Sequence, residues 1–183
     1  MYLLQDYLTF VVAPALDGVL DEAKDAIDTL LPFADAVDKM AALSLKGSIL
    51  ASSRQIQEAL ATIVGALSDL GETIPQTYDD ETLERLFAQT LQSVRDSSIS
   101  EVREFELASP NDAAIPITHF YSMAIGLSQL LHPNMLDIFA CKSVMASIKM
   151  GWTKFSSFGL AVFANHVQTK GLVDERCVSP VHL

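Results

Sequence analysis

Two cysteines, one tryptophan, eight glycines and seven prolines are thinly spread through 183 residues, and each scarcity excludes something. Cys141 and Cys177 lack CxxC spacing, so neither a zinc site nor a thiol-redox motif is indicated, and nothing argues for an oxidising compartment. Few glycines and prolines amid abundant alanine, leucine and serine favour helices. No run alternates in the β manner, and no Asn-Gly or Asp-Gly pair marks a hairpin. The most apolar stretches, 115–131 and 155–167, are interrupted by Thr, His, Ser, Gln and Asn, so neither offers the ~20 mainly apolar residues of a membrane span. The first residues, Met1-Tyr-Leu-Leu-Gln-Asp6, have no basic region and no cleavage site, unlike a signal peptide. The resulting expectation is a cytoplasmic chain.

Basic residues are also few. Twelve Lys and Arg face 23 Asp and Glu, for a net charge of −11. The imbalance lies in residues 1–92, with 15 acidic against 5 basic side chains; residues 93–183 carry 8 against 7. An acidic surface repels phosphate, which speaks against nucleic acid and anionic membranes as partners. It reads as a set of solvated helix faces, with a docking surface for a basic partner as the minor reading.

What is present is helical periodicity. Helices are expected over about 2–16, 21–31, 35–51 and 54–70, the last with Ile56, Leu60, Ile63, Val64 and Leu67 on one face and Gly71 as its C′ stop. Asp79 or Asp80 can cap a fifth helix whose face is Leu83, Leu86, Phe87, Leu91 and Val94. Ser98-Ile-Ser-Glu101 has capping-box spacing and opens a short sixth. Further helices cover about 112–131, 135–150 and 153–170, with Gly151 closing one and Thr153 capping the next. In the last, Phe155, Phe158, Gly159, Val162, Phe163, His166 and Val167 share a face. Short connections make neighbours antiparallel.

Two segments echo each other. Leu20-Asp-Glu-Ala-Lys-Asp-Ala-Ile27 and Ile56-Gln-Glu-Ala-Leu-Ala-Thr-Ile63 place Ala23 and Ala59 36 residues apart, near the ~34-residue tetratricopeptide period. Small residues there let helix backbones approach closely. With these, Glu58-Ala-Leu-Ala-Thr-Ile-Val-Gly-Ala-Leu-Ser-Asp-Leu-Gly-Glu-Thr-Ile-Pro75, Ser98-Ile-Ser-Glu-Val-Arg-Glu-Phe105, and the paired stretches 120–150 and 152–171 give the chain its likeness to a known arrangement. It resembles the tetratricopeptide-like helical region of very large multidomain signalling proteins. In those, a protein-kinase-like domain and an AAA-type ATPase precede the array, and a GAF domain and often a histidine kinase follow. The likeness runs from about Tyr2 to Glu175 and rests on packing motifs. Arg176-Cys-Val-Ser-Pro-Val-His-Leu183 departs from it, and the ATPase and kinase parts are absent.

The fold expectation is therefore all-α: antiparallel helix pairs stacked as a TPR-like α-solenoid of about eight to nine helices. Residues 1–175 would form one helical array, read as a fragment of a longer one, and 176–183 an irregular tail. The resemblance implies a non-catalytic scaffold for protein–protein interaction or signal relay. Its partners would be proteins or neighbouring domains of a larger chain, with self-association through the cut C-terminal end as a further option.

No residue is assigned to catalysis, a cofactor or a metal. GxxxxGK[ST], GxSxG, HExxH and EF-hand patterns are missing. His119, His132, His166 and His182 are scattered, and His119 and His166 read as hydrogen-bonded packing residues. Asp137 and Cys141 share a helix face without a third ligand nearby. Asp79-Asp80-Glu81 reads as the acidic first turn of a helix. The Phe155, Phe158 and Phe163 stripe with Trp152 reads as core. The alternative function is a small helical ligand-binding bundle or enzyme with a pocket near His119, Tyr121 and Trp152.

Overall fold

The computed structural model describes residues 17–75, 77–97, 113–131 and 133–171. Among these are seven α-helices and no strand: α1 (Asp17–Leu30), α2 (Ala36–Ser52), α3 (Ile56–Asp69), α4 (Asp80–Asp96), α5 (Ala114–Ser128), α6 (Pro133–Met150) and α7 (Ser156–Thr169). The chain is all-α there, as its periodicity requires. The expected helices over 2–16 and from Ser98, and the tail 176–183, lie outside the described residues.

Helix ends follow local chemistry. Asp35 caps α2 by accepting from the backbone N–H groups of Val37 and Asp38, and Asp79 caps α4 by accepting from Thr82 N–H at 2.8 Å. Bonds from Thr82, through its side chain first and then its backbone, hold the Asp79 carboxyl below its ordinary range. At the end of α3, Gly71 has φ +84°. Its N–H reaches the Ser68 carbonyl and the Glu72 N–H reaches that of Leu67, which is a Schellman stop. α2 ends the same way, with Arg54 N–H to Ala51 and Gln55 N–H to Leu50, but here the left-handed residue is Arg54, at φ 61°. A side chain in that region is strained. Arg54→Gly is expected to raise stability by about 0.5–1 kcal/mol, net of the greater freedom glycine gives the unfolded chain, measured as a rightward shift of the urea midpoint.

Side-chain pairs show the directions of the helices. Lys39, early in α2, pairs with Asp69 at the end of α3, at 2.8 Å. Asp137, early in α6, pairs with His166, late in α7. Both neighbouring pairs are antiparallel. α1 packs on α2, α2 on α3, and α3 on α5; α6 is enclosed by α4, α5 and α7. That enclosure explains why α6 is not amphipathic. Ile138, Phe139, Ala140, Cys141, Val144 and Ala146 are all buried, and they leave water only a narrow edge at Lys142, Met145 and Lys149.

The main core runs through α3, α4, α5, α6 and α7, with Ile63, Leu67, Tyr121, Ile125, Ile138 and Phe139 wholly out of water. A smaller cluster of Ala23, Ile27, Ala42 and Ile49 joins α1 to α2. Two glycines mark close approaches. A Cβ on Gly47 of α2 would lie 2.7 Å from Ile63 Cδ1, and one on Gly159 of α7 would lie 2.6 Å from Ser143 Cβ. The face expected in α7 holds for Gly159 and Phe163, which are buried, but Phe158 is 38% exposed.

Candidate functional site

A groove of about 720 Å³ lies between α2 and the start of α5. Its apolar walls include Val37, Met40 and Leu45 from α2 and Ile115, Pro116 and Phe120 from α5. It forms because α2 commits one side to α1 through Ala42 and Ile49 and another to α3 through Gly47. Successive residues of a helix point about 100° apart, so Val37, Ala41, Ser44 and Ser48 fall on the remaining side.

Among the described residues no charged side chain lines this groove. Its polar side chains are Ser44, Ser48 and His119. Ser48 Oγ donates to the Ser44 carbonyl at 3.0 Å, and Ser44 Oγ reaches Met123 Sδ, a weak acceptor, at 3.5 Å. The His119 ring is stacked on Phe155, with centroids 4.3 Å apart, and Lys154 Nζ sits 5.0 Å from the centre of the same phenyl ring. Burial, with Lys154 adding to it, holds the His119 imidazole below its ordinary value, so it is neutral at pH 7. No hydrogen bond engages its ring nitrogens among the described residues.

Tyr121 and Trp152, grouped with His119 by the sequence, do not line this groove. Tyr121 is fully buried, and its hydroxyl donates to Glu72 Oε2 at 2.5 Å. Burial and the Glu72 carboxylate both push the phenol pKa far up. Glu72 is placed by the Schellman turn around Gly71, a link that sequence spacing does not reveal. Trp152 is half-buried after α6.

His166 is the hydrogen-bonded packing residue it resembled. Its Nδ1 lies 2.7 Å from Asp137 Oδ2, its ring sits 4.8 Å from that of Phe87, and its Nε2 is buried without a hydrogen-bond partner. Asp137 therefore turns to His166 across helices, besides sharing a face with Cys141. The buried Cys141 thiol is pushed up to about 12, chiefly by desolvation, which keeps it protonated and a poor nucleophile. No three His, Cys, Asp or Glu side chains converge to hold a metal ion among the described residues. Of the acidic triplet, Asp79 caps α4 and Asp80 accepts from Asn134 Nδ2 at 2.7 Å, tying α4 to the start of α6. His132, Cys177 and His182 lie outside the described residues.

No protein-family model, curated protein or solved structure matches the chain. No described helix is long and apolar enough to cross a membrane. The polar features must therefore be weighed on their own geometry.

The remaining polar cluster is structural. Thr118 Oγ1 and Thr153 Oγ1 lie 2.6 Å apart. Ser147 Oγ donates to Ser156 Oγ at 2.8 Å, which also accepts from Thr153 N–H at 3.0 Å. All four residues are buried, and they pin α5 and α6 to the start of α7. Thr153 was the expected cap of α7. Its hydroxyl instead accepts from Phe155 N–H, one turn too early, and α7 starts at Ser156 after an N-cap, Phe155, that has no side-chain bond. Ser156→Ala strands the Thr153 N–H, while the Ser147 hydroxyl keeps the Ser143 carbonyl at 2.8 Å, and is expected to cost about 1–3 kcal/mol, read by chemical denaturation.

Proposed function

We propose that the chain is a non-catalytic helical scaffold for protein–protein interaction or signal relay, built as a TPR-like α-solenoid of eight to nine helices. One observation carries this reading: the two sequence echoes occupy matching environments. Ala23 and Ala59 are buried, as are Ile27 and Ile63, while Glu22 and Glu58 are exposed and Leu20 and Ile56 half-buried. A 36-residue repeat whose copies bury the same positions is what a stack of hairpins requires. The antiparallel pairs α2/α3 and α6/α7 are in keeping with it. The protonated Cys141 thiol and the internal pairing of Tyr121 and His166 leave these groups engaged in packing, which favours a scaffold over an enzyme.

The partners on this reading are proteins or neighbouring domains of a larger signalling chain. Self-association through the C-terminal end is a secondary route. Proximity biotinylation in the source cell, followed by titration of each purified candidate against the chain, tests the assignment. Saturable binding of a defined protein is the expected result. Turnover of a metabolite by the purified chain, with no saturable protein partner, would overturn it.

A second reading, a small helical ligand-binding bundle, is favoured by the groove beside His119. The two differ in their melts: a stacked array loses structure over a broad range, and a compact bundle with a site melts sharply and shifts with ligand.

A further inference from the structure

The groove between α2 and α5 is set apart by what its lining lacks. The chain is 19% charged, yet among the described residues no Asp, Glu, Lys or Arg lines the groove. An ionised ligand would lose its hydration along the apolar walls, which is costly; Lys154, over the Phe155 ring on which His119 stacks, is exposed and lies outside the lining. A neutral apolar ligand loses nothing comparable. The volume of about 720 Å³ falls within the range of small-molecule sites, which are largely apolar with a few polar groups that fix orientation. His119 is such a group. Its ring is held by stacking on Phe155, and no described residue uses its nitrogens.

We propose that this groove binds a neutral, mainly hydrocarbon molecule with one hydrogen-bonding end, such as a medium-chain alcohol, oriented by His119. The low basicity of the imidazole supports this: a neutral ring both donates and accepts, and it offers no charge to attract a carboxylate. A basic amphipathic helix is the less favoured occupant, because no described residue of the lining is a carboxylate to recognise it. The proposal is independent of the scaffold reading, which is tested by protein partners.

The test uses the full chain and the neutral fluorophore N-phenyl-1-naphthylamine. Decanol and decanoate, both below their aggregation limits at pH 8, serve as competitors. Decanol is expected to displace the fluorophore at least tenfold more effectively than decanoate. Ala41→Trp, at an exposed helical position on the groove, should weaken fluorophore binding at least tenfold. Ser48→Arg, also exposed, is a second block should the first disturb folding, as checked by circular dichroism. His119→Phe keeps the ring stack and should weaken decanol about fivefold while leaving the fluorophore unaffected, a loss in line with one neutral hydrogen bond. Three results would overturn the proposal. They are no fluorophore binding, as when a helix from this or another chain fills the groove; binding that both blocking variants leave intact; and equal displacement by decanoate.

Discussion

Gly159→Ala is expected to destabilise the protein by about 3 kcal/mol, at the upper end of the cost of overpacking a core. In an exposed helix the same change would gain about 1 kcal/mol from propensity. Here the new methyl would lie 2.6 Å from Ser143 Cβ and closer still to Ser143 Oγ. A Cβ attached to a helix backbone cannot swing aside, so α6 and α7 must separate. The melting temperature should fall by roughly 6–12 °C for a chain of this size. Ser143→Gly in the same chain should recover much of the loss by removing the opposing Cβ, although a mid-helix glycine itself costs about 1 kcal/mol. Ser143→Ala should not rescue it. Alone, Ser143→Ala should be neutral or slightly stabilising, since the Ser143 hydroxyl is buried with no hydrogen-bond partner. Gly47→Ala is the control, because its new methyl meets the flexible ends of Ile63 and Met123, and its net effect should stay within about 1 kcal/mol. If Gly159→Ala melts with the parent chain, the α6–α7 approach is looser than described.

Raising the pH from 9 to 11 is expected to remove about 4 kcal/mol of stability. Two buried groups keep their protons when folded and surrender them when unfolded. The Cys141 thiol moves from an ordinary 9.0 up to about 12 in the fold. The Tyr121 phenol is raised from an ordinary 10.0 by burial and by Glu72. Each pKa is higher in the folded state, so each contribution is complete below the unfolded value and declines as pH rises. For Cys141 the decline runs from 9 to 12; for Tyr121 it begins at 10 and continues upward. Each titrating group contributes a slope of about 1.4 kcal/mol per pH unit. Urea unfolding at half-unit pH steps measures the curve. Cys141→Ala should flatten the part between 9 and 10. Tyr121→Phe should roughly halve the slope above 10, where Cys141 still titrates, while losing about 1.5–3 kcal/mol at pH 7, because the bond to the Glu72 carboxylate is gone. A stability that stays level from pH 9 to 11 would mean that these groups are solvated in the fold.

Helices were legible wherever periodicity was strong. The α4 face of Leu83, Leu86 and Phe87 is buried, with Leu91 and Val94 partly so, because an exposed helix must sort its residues by side. Gly71 and the Asp79 cap were legible for a different reason: both are local, set by the backbone within one turn. Arg54 was not, since only a helix corner held by tertiary packing forces a side chain into the left-handed region. Boundaries moved by a few residues. Within the described residues α1 covers Asp17–Leu30 and α6 covers Pro133–Met150.

The candidate groups divide along the same line. His166 was legible as a packing histidine because it shares the buried side of α7 with Gly159 and Phe163, yet its partner Asp137 stands 29 residues away on another helix, beyond any periodic signal. The separation of His119 from Tyr121 was likewise hidden. Adjacent helical residues point about 100° apart, so His119 and Phe120 line a groove while Tyr121 turns to Glu72. Sequence by itself determined the helical class, the Gly71 stop and the Asp79 cap, and the acidic solvated faces, since these depend on residue order over one or two turns. Tertiary structure alone decided that α6 would be enclosed, that α2 would keep an uncovered side, and which polar groups would meet, since these depend on how helices distant in the chain come to lie against one another.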